Sequence, residues 1–324
     1  MLNVLRTLIA FICVVPATAF AQAVNYPTKP ITIVVPAAPG GVSDSMARAL
    51  AQRFTEVWGQ QIIVENRGGA NHQIGAASVA KATPDGHMLM LGAETIFVIN
   101  PSLYGNKLAY DPNGFAPITG LVRANQALLA HPSLPANSVG DLIALAKQRP
   151  GEISYATSGI GSAPHVNVAL LESMAGVKLL PVHYRGAAPA LNDVVAGHVQ
   201  LLSVAVSSAL QPWRSGLVKM LGIGSPQRLP QIADVPTVAE SGLPGYEAVT
   251  WFGLFTTAGT PPEVIAKING EVARVFADPA FRERFITPYM YETMVTPPDA
   301  FAVFIKAETE KWAKVIRDAN LKVD

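Results

Sequence analysis

Pro30-Ile31-Thr32-Ile33-Val34-Val35-Pro36, followed by Ala37-Ala38-Pro39-Gly40-Gly41-Val42-Ser43-Asp44, is the stretch that decides the fold. A β-branched run between two prolines reads as a buried strand. The eight residues after it are small or turn-forming and read as a loop. From Ser45 to Trp58, Met46, Leu50, Phe54 and Val57 recur at helical spacing and share a face. Strand, glycine loop and helix make a β-loop-α unit, the repeating piece of an α/β sheet.

The unit recurs along the chain. Gln61–Glu65 reads as a strand, Asn66–Asn71 as a loop and Ile74–Ala82 as a helix. Pro84-Asp85-Gly86 is a turn signal, His87–Leu91 the next strand and Gly92–Thr95 another loop. Ile118–Leu121 and Ala127–Ala130 read as two further strands. A second series begins near Ser138, which is placed to cap a helix through Gln148. It continues with a strand at 153–156, a second glycine-serine loop (Thr157-Ser158-Gly159-Ile160-Gly161-Ser162) and a helix over Ala163–Met174. Leu179–His183, Val199–Val204 and Leu217–Ile223 read as strands, with a helix at 188–196 and a connection at Ala205–Ser208. Trp251–Phe255 reads as a strand returning to the first half, before helices over 261–276, 281–285 and 299–319. Two similar series imply two similar lobes. The expected division is 1–21 as a removable leader, 22–125 with 250–324 as the first lobe, and 126–249 as the second. The chain then crosses between lobes near 125 and 250.

The leader rests on the order of its parts. Arg6 supplies a positive start, Thr7–Val15 an apolar run, and Ala19-Phe20-Ala21 a small-x-small cleavage site, the pattern of a secretory signal. The run is shorter than the roughly 20 residues a membrane span needs. Export across the inner membrane with cleavage near Ala21 places the mature chain in the periplasm. The sole cysteine, Cys13, falls inside the leader, so the mature chain carries no disulfide, thiolate metal site or cysteine nucleophile. Half the residues are hydrophobic, 15% are charged and the net charge is +1. Without a basic excess, nucleic acid is not an expected partner.

Each glycine loop lies where a strand hands over to a helix. Ligands of open α/β sheets sit at that end of the strands. The helix N-terminus offers unpaired N–H groups and the positive end of its dipole to an anion. Glycines let the backbone come close, and Ser43, Ser158 and Ser162 add hydroxyl donors. Two such loops facing each other would hold a carboxylate without arginine. Neither is a nucleotide loop, since G-x-G-x-x-G and G-x-x-x-x-G-K-[ST] are both missing. No cofactor is expected.

The chain resembles the substrate-binding proteins of tripartite tricarboxylate transporters, the Bug or TctC family. The resemblance spans the mature chain. It runs through Val35-Pro36-Ala37-Ala38-Pro39-Gly40-Gly41-Val42-Ser43-Asp44, Val64-Glu65-Asn66-Arg67, Pro84-Asp85-Gly86 and Ile99-Asn100-Pro101-Ser102-Leu103-Tyr104. It continues through Tyr155-Ala156-Thr157-Ser158-Gly159, Ala163-Pro164-His165, Tyr184-Arg185-Gly186-Ala187-Ala188-Pro189-Ala190, Asp234-Val235-Pro236-Thr237 and Trp251-Phe252-Gly253. It implies a two-lobed periplasmic-binding-protein fold of the type II, Venus-flytrap kind. It also implies a small organic carboxylate as ligand and membrane transporter subunits as partners. Carried over by position, the first grip falls on Ala38, Pro39, Gly40, Gly41, Ser43 and Asp44. The second falls on Thr157, Ser158, Gly159, Gly161 and Ser162, with His165 nearby. Where many members carry an aspartate, this chain has Val204 and Ala205. A ligand amine would lack its partner there, which favours a carboxylate with an apolar or aromatic body. Glu94 stands where small hydroxyl residues are usual, so Glu94 or His72 is a candidate reader of a polar ligand group, and Thr95 beside Glu94 is a further candidate contact. Arg185 is a candidate partner for a second carboxylate.

Rival chemistry finds less support. No G-x-S-x-G elbow occurs, so no catalytic serine is expected. The six histidines show no paired metal spacing. A periplasmic sensor component that presents the same solute to a receptor kinase is the alternative role. The protein is expected to act as a monomer.

Overall fold

The computed structural model describes residues 25–318 and 321. The leader and its cleavage site lie outside the described residues. β1 (Ile31–Val35) leads to α1 (Val42–Trp58), and β2 (Ile62–Asn66) to α2 (Gln73–Ala80). β3 (Met88–Ala93) leads to a π-helical turn (Thr95–Ile99) and the short α3 (Asn100–Tyr104). Then follow β4 (Phe115–Ala130), α4 (Val139–Gln148), β5 (Ser154–Thr157), α5 (Ala163–Ala175), β6 (Leu180–His183) and α6 (Ala187–Val195). β7 (Leu201–Ala205), α7 (Val206–Arg214), β8 (Lys219–Ile223), β9 (Val249–Thr257), α8 (Pro262–Ala277), α9 (Pro279–Phe285), β10 (Glu292–Thr293) and α10 (Pro298–Asp318) complete the chain.

β1 lies between β2 and β3, all parallel, and β9 runs antiparallel between β3 and β4. In the other half, β5 lies between β6 and β7, all parallel. The sixteen-residue β4 belongs to both arrays. Its residues 115–125 pair with β9, and its residues 126–130 pair with β7 on one side and β8 on the other. Two separate strands were expected at 118–121 and 127–130. The intervening Val122–Asn125 stays extended because β9 supplies it with partners across Phe252 to Val249, and Gln126 passes on to β7.

The first array is clad on both faces, which is why its strands read as continuous apolar runs rather than alternating ones. Ile31, Ile33, Val35, Leu89 and Leu91 turn to α1, meeting Met46, Leu50 and Phe54. Val34 and Met90 turn the other way, to Ala76 and Val79 of α2, the π-helical turn, and Phe301 and Trp312 of α10. The α1 stripe follows i, i+4 steps to Trp58, whose ring packs on Phe54 at 4.4 Å, so Val57 is left 54% exposed. Trp251 and Trp312 are each 1% exposed, and both are core. Ser138 caps α4 as the sequence suggests, its Oγ accepting the Asp141 N–H at 3.0 Å. α7 replaces an expected connection, because Ser207, Ser208 and Pro212 disguise a nine-residue helix whose Val206 and Ala209 are buried.

Candidate ligand site

α1 begins at Val42, four residues before its apolar stripe, so Ser43 and Asp44 sit in its first turn rather than in the loop. Asp44 folds back on the loop. Its Oδ2 accepts the Gly40 N–H at 2.9 Å and the Arg48 Nε–H at 3.2 Å. Arg48 reaches on to Asn66 Oδ1 at 3.1 Å, and Asn66 Nδ2 donates to the Ala37 carbonyl at 3.2 Å. Burial alone would push the Asp44 carboxyl up, but the Arg48 guanidinium and the Gly40 amide outweigh it and hold it below the usual range. Asp44 therefore shapes the loop. Gly40 has φ +90°, which suits glycine alone, and a β-carbon on Gly40 or Gly41 would meet nothing within 4 Å. The loop thus turns an open backbone face outward, with the unpaired first-turn amides of α1 behind it. Ala38 and Pro39 are exposed on the same loop.

The second loop has the same logic. Thr157 Oγ1 accepts the Gly159 N–H at 3.2 Å and pairs with His183 Nδ1 at 2.7 Å. Ser162 Oγ donates to the Gly159 carbonyl at 2.7 Å. His165 Nδ1 accepts the Gly161 N–H at 3.0 Å, so that nitrogen carries no proton. Burial, and then the neighbouring His183, bring the His165 pKa down to about 4, and the ring is neutral. Thr157, Ser162 and His165 spend their polar atoms on loop shape. Ser43 in the first turn of α1 and Ser158 in the second loop keep hydroxyls with no partner among the described residues.

A third segment joins the two loops. Ala70, Asn71 and His72 are three consecutive non-glycine residues at positive φ (46°, 50° and 72°). Such backbone is costly and persists only where its surroundings enforce it. His72 Nδ1–H donates to the Pro36 carbonyl at 2.5 Å, at the base of the first loop. Asn71 and the fully buried Asn100 clasp one another: Asn71 Nδ2 donates to Asn100 Oδ1 at 2.7 Å, and Asn100 Nδ2 to the Asn71 carbonyl at 2.8 Å. The second loop lands on this clasp. A β-carbon on Gly161 would stand 2.1 Å from Leu103 Cδ2 and 3.2 Å from Asn71 Nδ2, at φ +74°. Gly161→Ala should therefore cost about 1–2 kcal/mol for left-handed backbone and about 1–3 kcal/mol for displacing Leu103. An unchanged urea midpoint would mean that Gly161 does not bear on Leu103.

The remaining candidates are scattered around these loops. Glu94 and Thr95 are 1% and 2% exposed. Glu94 Oε2 accepts the Trp251 N–H at 3.3 Å. Burial first, and then the Glu308 charge, raise its pKa to about 8 against weaker opposing effects from the Trp251 amide, Thr250 and Lys311. Arg185 is exposed after β6 and pairs with no carboxylate among the described residues. Val204 packs in an apolar cluster with Ala127, Val206 and Met290, and Ala205 is half-buried beside it. The sequence reading did not single out Asn100 or Leu103 as site residues, although both lie in Ile99–Tyr104, one of the stretches that carried the resemblance. Ser207, whose Oγ stands 3.4 Å from Tyr291 Oη, was also missed, because α7 was not foreseen. No group of three or more metal-binding side chains occurs among the described residues.

Two arrays share a long strand, and each carries a glycine loop where a strand hands over to a helix. The sequence pattern of the tripartite tricarboxylate transporter family receptor matches residues 46–321, and the chain belongs to that family. Its members are substrate receptors rather than enzymes. The structure of the periplasmic binding protein BugD is similar at 34% identity and TM-score 0.83, over 92% of this chain and 99% of that one. A Rhodopseudomonas palustris protein, Rpa4515 with adipate, is 33% identical with TM-score 0.86, over 92% and 99%. MatC from Rhodopseudomonas palustris with bound malate is 31% identical with TM-score 0.81, over 90% and 100%.

Proposed function

We propose that this protein captures a small organic carboxylate with an apolar or aromatic body and delivers it, as a monomer in the periplasm, to a tripartite tricarboxylate-type membrane transporter. The observation that carries the reading is the pair of unpartnered hydroxyls, Ser43 at the start of α1 and Ser158 in the second loop, beside Gly40, Gly41 and Gly159, at which an added β-carbon would meet nothing within 4 Å. A carboxylate between them gains hydroxyl and amide donors, and burial makes those bonds count. The lobes in this reading are 22–125 with 250–324, and 126–249. Ligand contacts to both lobes favour the closed arrangement.

Charge supports the same ligand. A buried ionised Glu94 would repel an anion, but with a pKa near 8 it is mostly protonated at neutral pH. The unpaired Arg185 suits a second carboxylate, and Val204 and Ala205 suit a hydrocarbon body rather than an ammonium group. The similar proteins with adipate and malate point to the same class of solute.

Thermal unfolding in the presence of adipate, malate, benzoate and glucose tests the reading. A carboxylate at a hundred times its dissociation constant should add about 2.7 kcal/mol of stability. Adipate or benzoate should outperform malate if the pocket favours an apolar body. A response to glucose and to none of the three carboxylates would sink the proposal.

A further inference from the structure

Residues 286–295 make an excursion between the two halves of the molecule. Ile286, Tyr291 and Val295 pack in the cluster under α1, whose other members all fall within residues 26–124 and 252–285. Met290, between them, packs instead in a cluster whose other members all fall within residues 127–235. One side chain from the C-terminal part of the chain is therefore core of the second half, and it is 7% exposed.

Both ends of the excursion are tied to the first half. On one side the Ile286 N–H donates to the Arg282 carbonyl of α9 at 3.0 Å. On the other, the Met294 N–H donates to the Leu121 carbonyl at 3.0 Å and the Thr296 N–H to Thr119 Oγ1 at 3.1 Å. Between these ties the chain reaches the junction. Glu292 Oε1 accepts the Asn125 Nδ2–H at 2.8 Å, where β4 passes from β9 to β7. Tyr291 Oη stands 3.4 Å from Ser207 Oγ, at the start of α7 in the second half. Met290 itself has φ +55°. Left-handed backbone is costly for a methionine and persists only where its surroundings enforce it. Insertion of the side chain into the second half's cluster offsets that cost. In the same arrangement the second glycine loop meets the first half, with Gly161 against Leu103.

We propose that residues 286–295 are a strap that sets the angle between the two halves, and that Met290 is a positioning residue for ligand capture. Its insertion favours the arrangement in which the second glycine loop meets the first half. Met290 acts without touching the ligand, by raising the fraction of molecules ready to bind. Its effect on affinity rests on the reading that the ligand is held between the halves; its effect on the angle does not.

The full mature chain has no cysteine, so spin labels at Ala273→Cys on α8 and Ala144→Cys on α4, both exposed, report the distance between the halves. Double electron–electron resonance on the labelled parent should give one narrow distance distribution. Met290→Ala should add a second population, and adipate should return it to the parent distance. Adipate affinity should fall about tenfold where the competent fraction drops to about a tenth. Met290→Gly removes the same side chain and relieves the left-handed backbone, and it should act in the same way. Met290→Leu refills the cluster and should keep distance and affinity at parent values. Ile286→Val trims the first half's own core and should lower the urea midpoint without adding a population. An unchanged distribution in Met290→Ala and Met290→Gly, or an equal second population in Met290→Leu or Ile286→Val, would overturn the strap. A full second population with unchanged adipate affinity would overturn its part in capture. A parent protein that binds no adipate counts against the ligand reading alone, and the distances still decide the strap.

Discussion

Glu94→Gln stabilises this protein at pH 8.5 by several kcal/mol and leaves it nearly unchanged at pH 4.5. The expectation follows from proton linkage. The carboxyl has a pKa of about 8 in the folded chain and an ordinary value of 4.5. Between those values the folded state keeps a proton that the unfolded state has released. The native protein therefore loses stability as pH rises through that window, and the loss levels off above it. At 1.36 kcal/mol for each pH unit the full effect is on the order of 4–5 kcal/mol, an upper bound for a group that can relax. Glutamine retains an acceptor for the Trp251 amide and does not titrate. Urea denaturation of both proteins at pH 4.5, 6.5 and 8.5 reads the result. A constant difference across that range would show that Glu94 does not carry the proton.

Phe301→Ala should cost about 3–5 kcal/mol, the range for emptying a buried aromatic site. Phe301 is fully buried. Its ring meets Trp251 edge-on at 5.6 Å and 82°, and lies 5.4 Å from Phe255. It fits over Gly253 in the middle of β9, where a β-carbon would fall 2.4 Å from its Cζ. The glycine is a notch in the sheet, and the ring fills it. Gly253→Ala should then destabilise the parent protein by about 1–3 kcal/mol through overpacking. In the Phe301→Ala background the same change should cost little, because the methyl enters vacated space. A double-mutant cycle measures that coupling. Additive costs would show that the two residues do not share the site.

The α/β class was legible because its signals are local. A β-branched run, a glycine-rich turn and an apolar stripe each occupy thirteen residues or fewer, and Ile31–Val35, Gly40 and Met46–Trp58 carry all three. β4 was not legible as one strand, since Val122–Asn125 is held extended by its pairing with β9, over a hundred residues away. The two glycine loops could be found from their composition. What their side chains do could not. Asp44, Thr157, Ser162 and His165 have the chemistry of ligand-binding groups, but here they bond their own backbone. The Asn71–Asn100 clasp was hidden for the same reason, because neither residue signals its partner in the sequence.

The uncut β4 gives the molecule a torsion bar. Any rotation of one array against the other must twist β4, which runs unbroken from its last pairing with β9 at Asn125 to its first pairing with β7 at Gln126. Motion of this kind is elastic: its amplitude is bounded by the hydrogen bonds that it strains, and those bonds restore the resting angle when a load is removed.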